Sequence, residues 1–156
     1  MNNIDDLLKE AMNAEVKAKE FYLNAAEKAQ SQAGKKFFKE LADFEQNHYE
    51  RVKKIIESRN KGIQLEATEP AQEMPTVKSE VQGEFEPNKH EVADILTLGI
   101  KAEKKAQERY KKIAESIDDP EGKEIFNNLA EDERRHHDNL EAQFYQISNK
   151  GIIIWE

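Results

Sequence analysis

The sequence contains the same pattern twice. When residues 7–55 are aligned without a gap to the residues that lie 88 positions later, 16 of the 49 pairs are identical. The shared residues include Ala14, Glu15, Ala18, Tyr22, Leu41, Ala42, Glu45 and His48 in the first half and Ala102, Glu103, Ala106, Tyr110, Leu129, Ala130, Glu133 and His136 in the second. The two halves therefore carry the same acidic and imidazole residues at equivalent places.

Each half contains two segments with the hydrophobic period of an α-helix. Apolar or small side chains recur at alternating steps of three and four residues, which places them on one helix face. Charged residues make up 36% of the chain, and the segments are mixtures of Ala, Glu, Lys and Leu that favour helices. The sequence therefore predicts an all-α protein with four helices. Six polar residues lie inside the apolar stripes: Glu15 in the first helix, Glu45 and His48 in the second, Glu103 in the third, and Glu133 and His136 in the fourth.

Helix-breaking residues divide each half into two helices. Residues 31–34 separate the first pair, and the second pair is separated at Asp119, a predicted N-cap, and Pro120, at the first helical position. We therefore expect two helix hairpins, over residues 3–60 and 89–149.

The spacing of the acidic residues matches these hairpins. In an antiparallel hairpin, residues at equal distances from the turn lie at the same height. Glu15 and the Glu45/His48 pair are centred near residue 31, and their equivalents in the second half are centred near residue 119. Both centres coincide with the predicted turns. Each lone glutamate is therefore expected beside the Glu-x-x-His motif of its own hairpin.

A long segment joins the two hairpins. Residues 61–88 hold three of the four prolines and show no helical period. A helix of about 26 residues is roughly 39 Å long, and about a dozen extended residues would span that length. The segment can therefore cross the bundle, so that the second and third helices run parallel. We predict one domain over residues 1–149, an antiparallel four-helix bundle with a long crossover between helices 2 and 3, and an apolar tail at residues 150–156.

Composition argues against several classes of protein. The chain has no cysteine, which excludes disulfides, thiolate metal sites and thiol catalysis within it. The net charge of −8 and the pI near 5.2 argue against nucleic acid as a partner. No segment approaches the roughly 18 apolar residues that a membrane span needs, so we expect a cytoplasmic protein with no membrane partner. We also expect a homodimer, in which the apolar residues 152–155 dock on a second subunit rather than close the end of the bundle.

The polar residues inside the stripes indicate a metal site. A single buried glutamate or histidine fits a hydrogen-bonded core group as well as a ligand. Four carboxylates at one level do not fit the alternative of hydrogen-bonded core groups. Like charges in a low-dielectric interior cost several kcal/mol per ion unless they are compensated. Two divalent cations would cancel the four charges, and each Glu-x-x-His motif presents both side chains on one side of its helix. The predicted ligands are Glu15, Glu45, His48, Glu103, Glu133 and His136.

The acidic and imidazole residues outside the stripes are expected at the surface. Asp43, Glu131 and Asp132 are interpreted as exposed acids. His137 points about 100° away from His136 around the helix, so it is expected in solvent.

The motifs resemble those of the rubrerythrin-like branch of the ferritin-like superfamily over about residues 4–147. The resemblance depends on Ala-Glu-x-x-Ala-x-x-x-Tyr, which begins at Ala14 and Ala102, and on Leu-Ala-x-x-Glu-x-x-His, which begins at Leu41 and Leu129. It implies a ferritin-like bundle that binds two iron ions, with manganese or a mixed iron and zinc pair as alternatives. It also implies that Glu45 and Glu133 bridge the metals, with Glu15 and His48 completing one site and Glu103 and His136 the other.

The sequence departs from typical rubrerythrins in two ways. Those proteins carry a further glutamate three residues after the third-helix ligand, where this chain has Ala106. The resemblance therefore implies the more symmetric six-ligand site of bacterioferritin and sulerythrin-like proteins. Typical rubrerythrins also carry a rubredoxin domain with four cysteines, which this sequence lacks. Electrons are therefore expected from a separate protein such as a rubredoxin.

The resemblance implies a reaction with hydrogen peroxide or dioxygen. We expect a non-haem di-iron peroxidase that serves in oxidative-stress defence. Tyr22 and Tyr110, two turns after the lone glutamates, are candidate catalytic residues that would hydrogen-bond a ligand carboxylate or transfer a radical, with plain core packing as the alternative. A di-manganese catalase and a non-enzymatic protein that oxidises and handles iron remain the alternative functions.

Overall fold

Four long helices make up almost all of the structure. The computed structural model describes residues 4–61, 84–150 and 153–155, with the backbone alone for 146–150. The predicted all-α, ferritin-like four-helix bundle is confirmed, whereas residues 62–83 of the predicted crossover lie outside the described residues. Among the described helices, none combines the length and apolar character needed to cross a bilayer. The helices are α1 (Ile4–Lys28), α2 (Gln32–Asn60), α3 (Lys89–Ser116) and α4 (Pro120–Lys150).

The two hairpin turns are tight and capped by side chains. The Ser31 hydroxyl accepts a hydrogen bond from the backbone N–H of Gly34 at 2.9 Å, so Ser31 is the N-cap of α2. Gly34 lies in the first turn of α2 rather than in the connection, which makes the break shorter than predicted. At the second turn, Asp119 accepts from the backbone N–H of Glu121 at 3.0 Å, and α4 begins at Pro120 as expected.

Contacts between helix ends fix the directions of the helices. The Asn88 side chain donates to the carbonyl of Lys28 at 2.7 Å, so α3 begins beside the end of α1. Arg59 donates to Asp5 at 3.4 Å, so α2 ends beside the start of α1. Since α2 ends and α3 begins at opposite ends of the bundle, these two helices run parallel. The described residues on either side of 62–83 therefore lie at opposite ends of the bundle, as the predicted crossover requires.

Two apolar clusters fill the bundle, one at each end. The first contains Leu8, Ile55, Ile113 and Phe126, near the start of α1. The second is built around the aromatic residues Tyr22, Phe37, Phe38 and Trp155, near the turn between α1 and α2. The predicted polar residues occupy the level between the clusters, where apolar packing shields them from solvent on both sides.

The C-terminal tail closes one end of the bundle. Ile153 and Trp155 are fully buried, and the indole ring lies 5.0 Å from the ring of Phe37 and 5.8 Å from that of Phe38, between centroids. The expectation that residues 152–155 dock on a second subunit is therefore wrong for Ile153 and Trp155, because they fill an apolar gap at the end of the chain's own bundle. Ile152 lies outside the described residues. An isolated antiparallel bridge between Phe85 and Ile154 fixes the tail to the segment before α3.

A buried carboxylate joins three parts of the chain at this end. Glu86 is fully buried and accepts hydrogen bonds from the Ser31 hydroxyl at 2.6 Å and from the indole N–H of Trp155 at 3.2 Å. It also accepts from the backbone N–H groups of Gln30 at 2.9 Å and Asn88 at 3.1 Å. Burial alone would raise the pKa of Glu86, but these donors lower it below its ordinary value. The carboxylate therefore acts as an ionised anchor for the first turn, the start of α3 and the tail.

Replacing Glu86 with Gln is expected to lower the free energy of unfolding by roughly 1.5–3 kcal/mol at neutral pH, because the charged acceptor is lost. In the wild type this contribution is fully present above the unfolded pKa of about 4.5 and is lost as pH falls through the lower folded pKa. The variant should lack this part of the acid sensitivity. Urea denaturation at neutral pH and at about pH 3 measures both effects. Glu20→Gln on the exposed face of α1 is the control, and equal stabilities for the two variants would contradict the anchor.

Candidate metal centre

All six predicted ligands meet at the middle of the bundle. Each is at most 2% exposed, and every helix supplies at least one of them. They form two overlapping groups, in each of which one donor atom per residue lies within 4.8 Å of all the others. Glu45 and Glu133 belong to both groups, so they lie between the two, and their bridging role stays a prediction. The groups are Glu15, Glu45, His48 and Glu133, and Glu45, Glu103, Glu133 and His136.

The two imidazoles face the centre with the same nitrogen. The Nδ1 atom of His48 lies 2.8 Å from Oε1 of Glu133, and the Nδ1 atom of His136 lies 3.2 Å from Oε1 of Glu45. Each histidine therefore approaches the glutamate of the other Glu-x-x-His motif. The rings are nearly parallel, with centroids 5.7 Å apart and an interplanar angle of 15°. In both rings the Nδ1 atom faces the carboxylates.

The carboxylates divide into a central and an outer pair by their electrostatics. Burial and the charges of neighbouring carboxylates raise the pKa of both Glu45 and Glu133 well above the ordinary value. Burial would also raise the pKa of Glu15 and Glu103, but contacts with the histidines and other hydrogen-bonding neighbours lower it on balance. Negative charge is therefore least favourable on the central pair.

Unpartnered polar atoms show that this cluster fits metal ions. Within the described residues, one oxygen of each of the four glutamates and Nδ1 of His48 are buried without a hydrogen bond of normal geometry, although Nδ1 lies 2.8 Å from Oε1 of Glu133. A buried polar atom without a hydrogen bond costs about 1–3 kcal/mol, so this group of atoms favours a further partner. Two divalent cations would bind these atoms and balance four negative charges. The donor set of carboxylate oxygens and imidazole nitrogens suits iron, manganese and zinc.

Two tyrosines hold the outer glutamates crosswise between the halves. The Tyr22 hydroxyl donates to Oε1 of Glu103 at 2.6 Å, and the Tyr110 hydroxyl donates to Oε1 of Glu15. Burial and the adjacent carboxylates raise the pKa of both phenols well above 10, so they remain neutral donors. Each hydrogen bond occupies one oxygen of the outer glutamate and leaves the other, Oε2, without a hydrogen bond among the described residues. The tyrosines thus contact the predicted ligands directly, and their catalytic role stays a prediction.

Comparison with known proteins identifies the family. The rubrerythrin family model matches residues 6–89 and 94–153. The chain belongs to the rubrerythrin family. It is similar to the solved structure of a hypothetical protein from Pyrococcus furiosus, with 28% sequence identity and a TM-score of 0.74 over 94% of this chain and 91% of that chain. No curated protein matches the sequence significantly. The rubrerythrin family implies a di-iron centre, and the buried glutamates and histidines supply side chains that could bind it.

A cavity leads to the candidate metal centre of this rubrerythrin between α1 and α3. It has a volume of about 450 Å³, and all four glutamates line it. Its walls also include the repeat-related alanines Ala14, Ala18, Ala102 and Ala106. Because these side chains are single methyl groups, the two helices leave an approach to the carboxylates. The position at which typical rubrerythrins carry a further glutamate thus forms part of an open wall here.

Asp132 is a site residue that the sequence reasoning missed. It is fully buried, with its Oδ2 atom 3.0 Å from Nε2 of His48 and 3.3 Å from the donating Nη1 of Arg51. The prediction of an exposed acid is therefore wrong, because α2 covers this side of α4. The repeat could have indicated this burial, because the equivalent residue in the first half is the apolar Phe44. Asp43 is exposed as expected.

The double substitution Glu45→Ala and Glu133→Ala is expected to abolish stoichiometric metal binding, because both central ligands are lost. Elemental analysis of the purified variants measures the metal content. Glu20→Ala with Glu108→Ala is the matched control, because it also removes a repeat-related pair of glutamates, but from the exposed faces of α1 and α3. Full retention of two metals by the first variant would disprove the ligand assignment.

Metal binding is expected to release protons at neutral pH. Burial lowers the pKa of His48, but Asp132 and Glu15 raise it more, to about 10. This group and the central carboxylates hold protons that a metal must displace, so the affinity should fall as pH falls. Calorimetric titration of metal-free protein in buffers of different ionisation enthalpy measures the release, expected at about one proton or more per metal pair. Identical heats in all buffers would contradict it.

Proposed function

We propose that this rubrerythrin is a non-haem di-iron enzyme that reduces hydrogen peroxide, or dioxygen, with electrons from a separate donor protein. The observation that carries the proposal is the pair of overlapping, buried ligand groups that share Glu45 and Glu133. A site that serves only to hold the bundle together would need no approach from solvent. Two adjoining positions beside an open cavity suit a reaction in which two metals act on one small molecule.

The reaction needs two electrons and two protons for each peroxide. A bound pair of ferrous ions would supply the two electrons that cleave the O–O bond, and two protons would complete two molecules of water. Glu45 and Glu133 would hold both ions, while Glu15 with His48 and Glu103 with His136 would complete the two positions. The donor protein then returns two electrons, because this chain has no cysteine to hold a second iron centre of the rubredoxin type.

The tyrosines restrict the movement of the outer ligands. Tyr22 and Tyr110 each hold one oxygen of an outer glutamate from the opposite half. The free oxygen of Glu15 or Glu103 can then bind a metal while the side chain stays oriented. The central pair, Glu45 and Glu133, has no tyrosine hydrogen bond among the contacts described. The geometry therefore supports fixed outer ligands around a more adjustable central pair.

The cavity supports access of a small oxidant to the carboxylates. Its walls combine the small alanines, which leave room next to the carboxylates, with the cationic residues Lys17, Lys105 and Arg109. A molecule the size of hydrogen peroxide or dioxygen can pass between α1 and α3 to the open side of the centre. The imidazoles contribute ligands from α2 and α4 and leave the approach between α1 and α3 free.

The first test is metal content followed by peroxide consumption. Protein purified without added metal is expected to contain two irons per chain and to consume peroxide at a rate that depends on reduced rubredoxin, whose oxidation is followed by absorbance. The Glu45→Ala, Glu133→Ala variant should lose this activity, and the Glu20→Ala, Glu108→Ala control should keep it. Bound manganese together with peroxide loss that releases oxygen and needs no donor would instead establish a di-manganese catalase. Iron oxidation without peroxide turnover would establish an iron-handling protein.

A further inference from the structure

The two histidines of the centre have different partners behind them. The Nε2 atom of His48 lies 3.0 Å from Asp132, which in turn accepts from Arg51 at 3.3 Å. The Nε2 atom of His136 is buried and has no hydrogen-bond partner among the described residues. The ring of Phe44 lies against His136 instead, at 5.0 Å between centroids and an interplanar angle of 74°. One imidazole is therefore held by a charged hydrogen-bond network and the other by an aromatic contact.

This difference breaks the repeat at the metal centre. Asp132 precedes Glu133 in α4 and contacts the histidine of the first half, and Phe44 precedes Glu45 in α2 and contacts the histidine of the second half. The two residues are thus equivalent under the 88-residue repeat, as are Arg51 and Asn139. The six predicted ligands are identical in the two halves, whereas the residues behind their imidazoles are not.

A carboxylate behind a metal-bound imidazole has a known effect on the metal affinity. A carboxylate that accepts the outer N–H of a metal-bound imidazole fixes the tautomer, orients the ring and increases the basicity of the ligating nitrogen. Loss of such a partner typically lowers metal affinity about 10–100-fold. An aromatic edge orients the ring by contact, but it accepts no proton from Nε2. The partner of His48 therefore orients its Nδ1 atom and increases the basicity of that atom as a ligand. The Nδ1 atom of His136 lacks this support.

We propose that the two metal positions are unequal and that the position of Glu15 and His48 binds its divalent ion first and more tightly than the position of Glu103 and His136. Asp132 acts as the positioning residue that creates this order, through His48. The protein then passes through a defined state with one metal bound at the His48 position. The inference rests on the metal centre of the proposed function but not on the reaction with peroxide.

Titration of the metal-free protein with Co²⁺ tests the order, with the visible absorption of the bound ion as the readout. The wild type should bind two ions in two steps. Asp132→Ala should weaken the first step about 10–100-fold and leave the second nearly unchanged, while Asp132→Asn, which keeps an oxygen acceptor, should restore part of the loss. Circular dichroism shows whether each variant keeps its helices.

A converse substitution keeps the test independent of a loss of folding. Phe44→Asp with Asn139→Arg gives His136 the partners that His48 has, and it should strengthen the second step so that the two steps converge. Phe44 is partly exposed, so the new carboxylate does not enter a closed core. Phe44→Leu is the matched control, because it removes the aromatic ring without adding an acceptor, and it should not strengthen the second step.

The proposal is decided by which of the two binding steps changes its affinity. Mutual repulsion of two cations can separate the steps in a symmetric site, so two steps alone do not distinguish the positions. An Asp132→Ala variant in which the first step is unchanged, or in which both steps weaken equally, would overturn the proposal. Selective changes as described would support it even if the protein reduces no peroxide. A wild type that binds no Co²⁺ would overturn both the inference and the metal centre.

Discussion

The structure depends on the repulsion among four carboxylates held at one level inside the helix bundle. Such a group is tolerated in a protein interior only when cations and hydrogen bonds compensate its charge. The surrounding features serve this need. Apolar clusters above and below exclude solvent, the tyrosine hydroxyls hold the outer glutamates, and two imidazoles approach the central pair. Stability and function are therefore coupled here, because the ions that would perform chemistry would also neutralise the least favourable part of the core.

The fold and the ligand residues could be predicted from sequence because each is set by a short-range regularity. The period of three and four residues places Glu15 on the same helix face as its apolar neighbours. Equal distances from a capped turn then bring it level with Glu45 and His48. The internal repeat supplies the same argument a second time. Long helices joined by tight turns leave little freedom in register, so spacing along the chain translates directly into position in the bundle.

The features that sequence reasoning missed depend on contacts between elements. Asp132 looks like a surface acid on its own helix, and only the packing of α2 against α4 reveals that it is buried beside His48. Glu86 and Trp155 lie 69 residues apart and meet through a hydrogen bond that no local pattern encodes. The tail was assigned to a second subunit for the same reason, since hydrophobicity shows that a segment needs a partner surface but not which surface it finds.

The crossed contacts between the halves bear on how such a site can originate. Each tyrosine holds the glutamate of the opposite half, and each residue before a Glu-x-x-His glutamate contacts the opposite histidine. A symmetric pair of identical hairpins would form the same crossed contacts, because in a two-fold interface every contact occurs twice. Identical hairpins, however, could never place aspartate behind one imidazole and phenylalanine behind the other. Fusion of two copies into a single polypeptide removes that restriction, so that gene duplication allows one metal position to change while its twin is preserved.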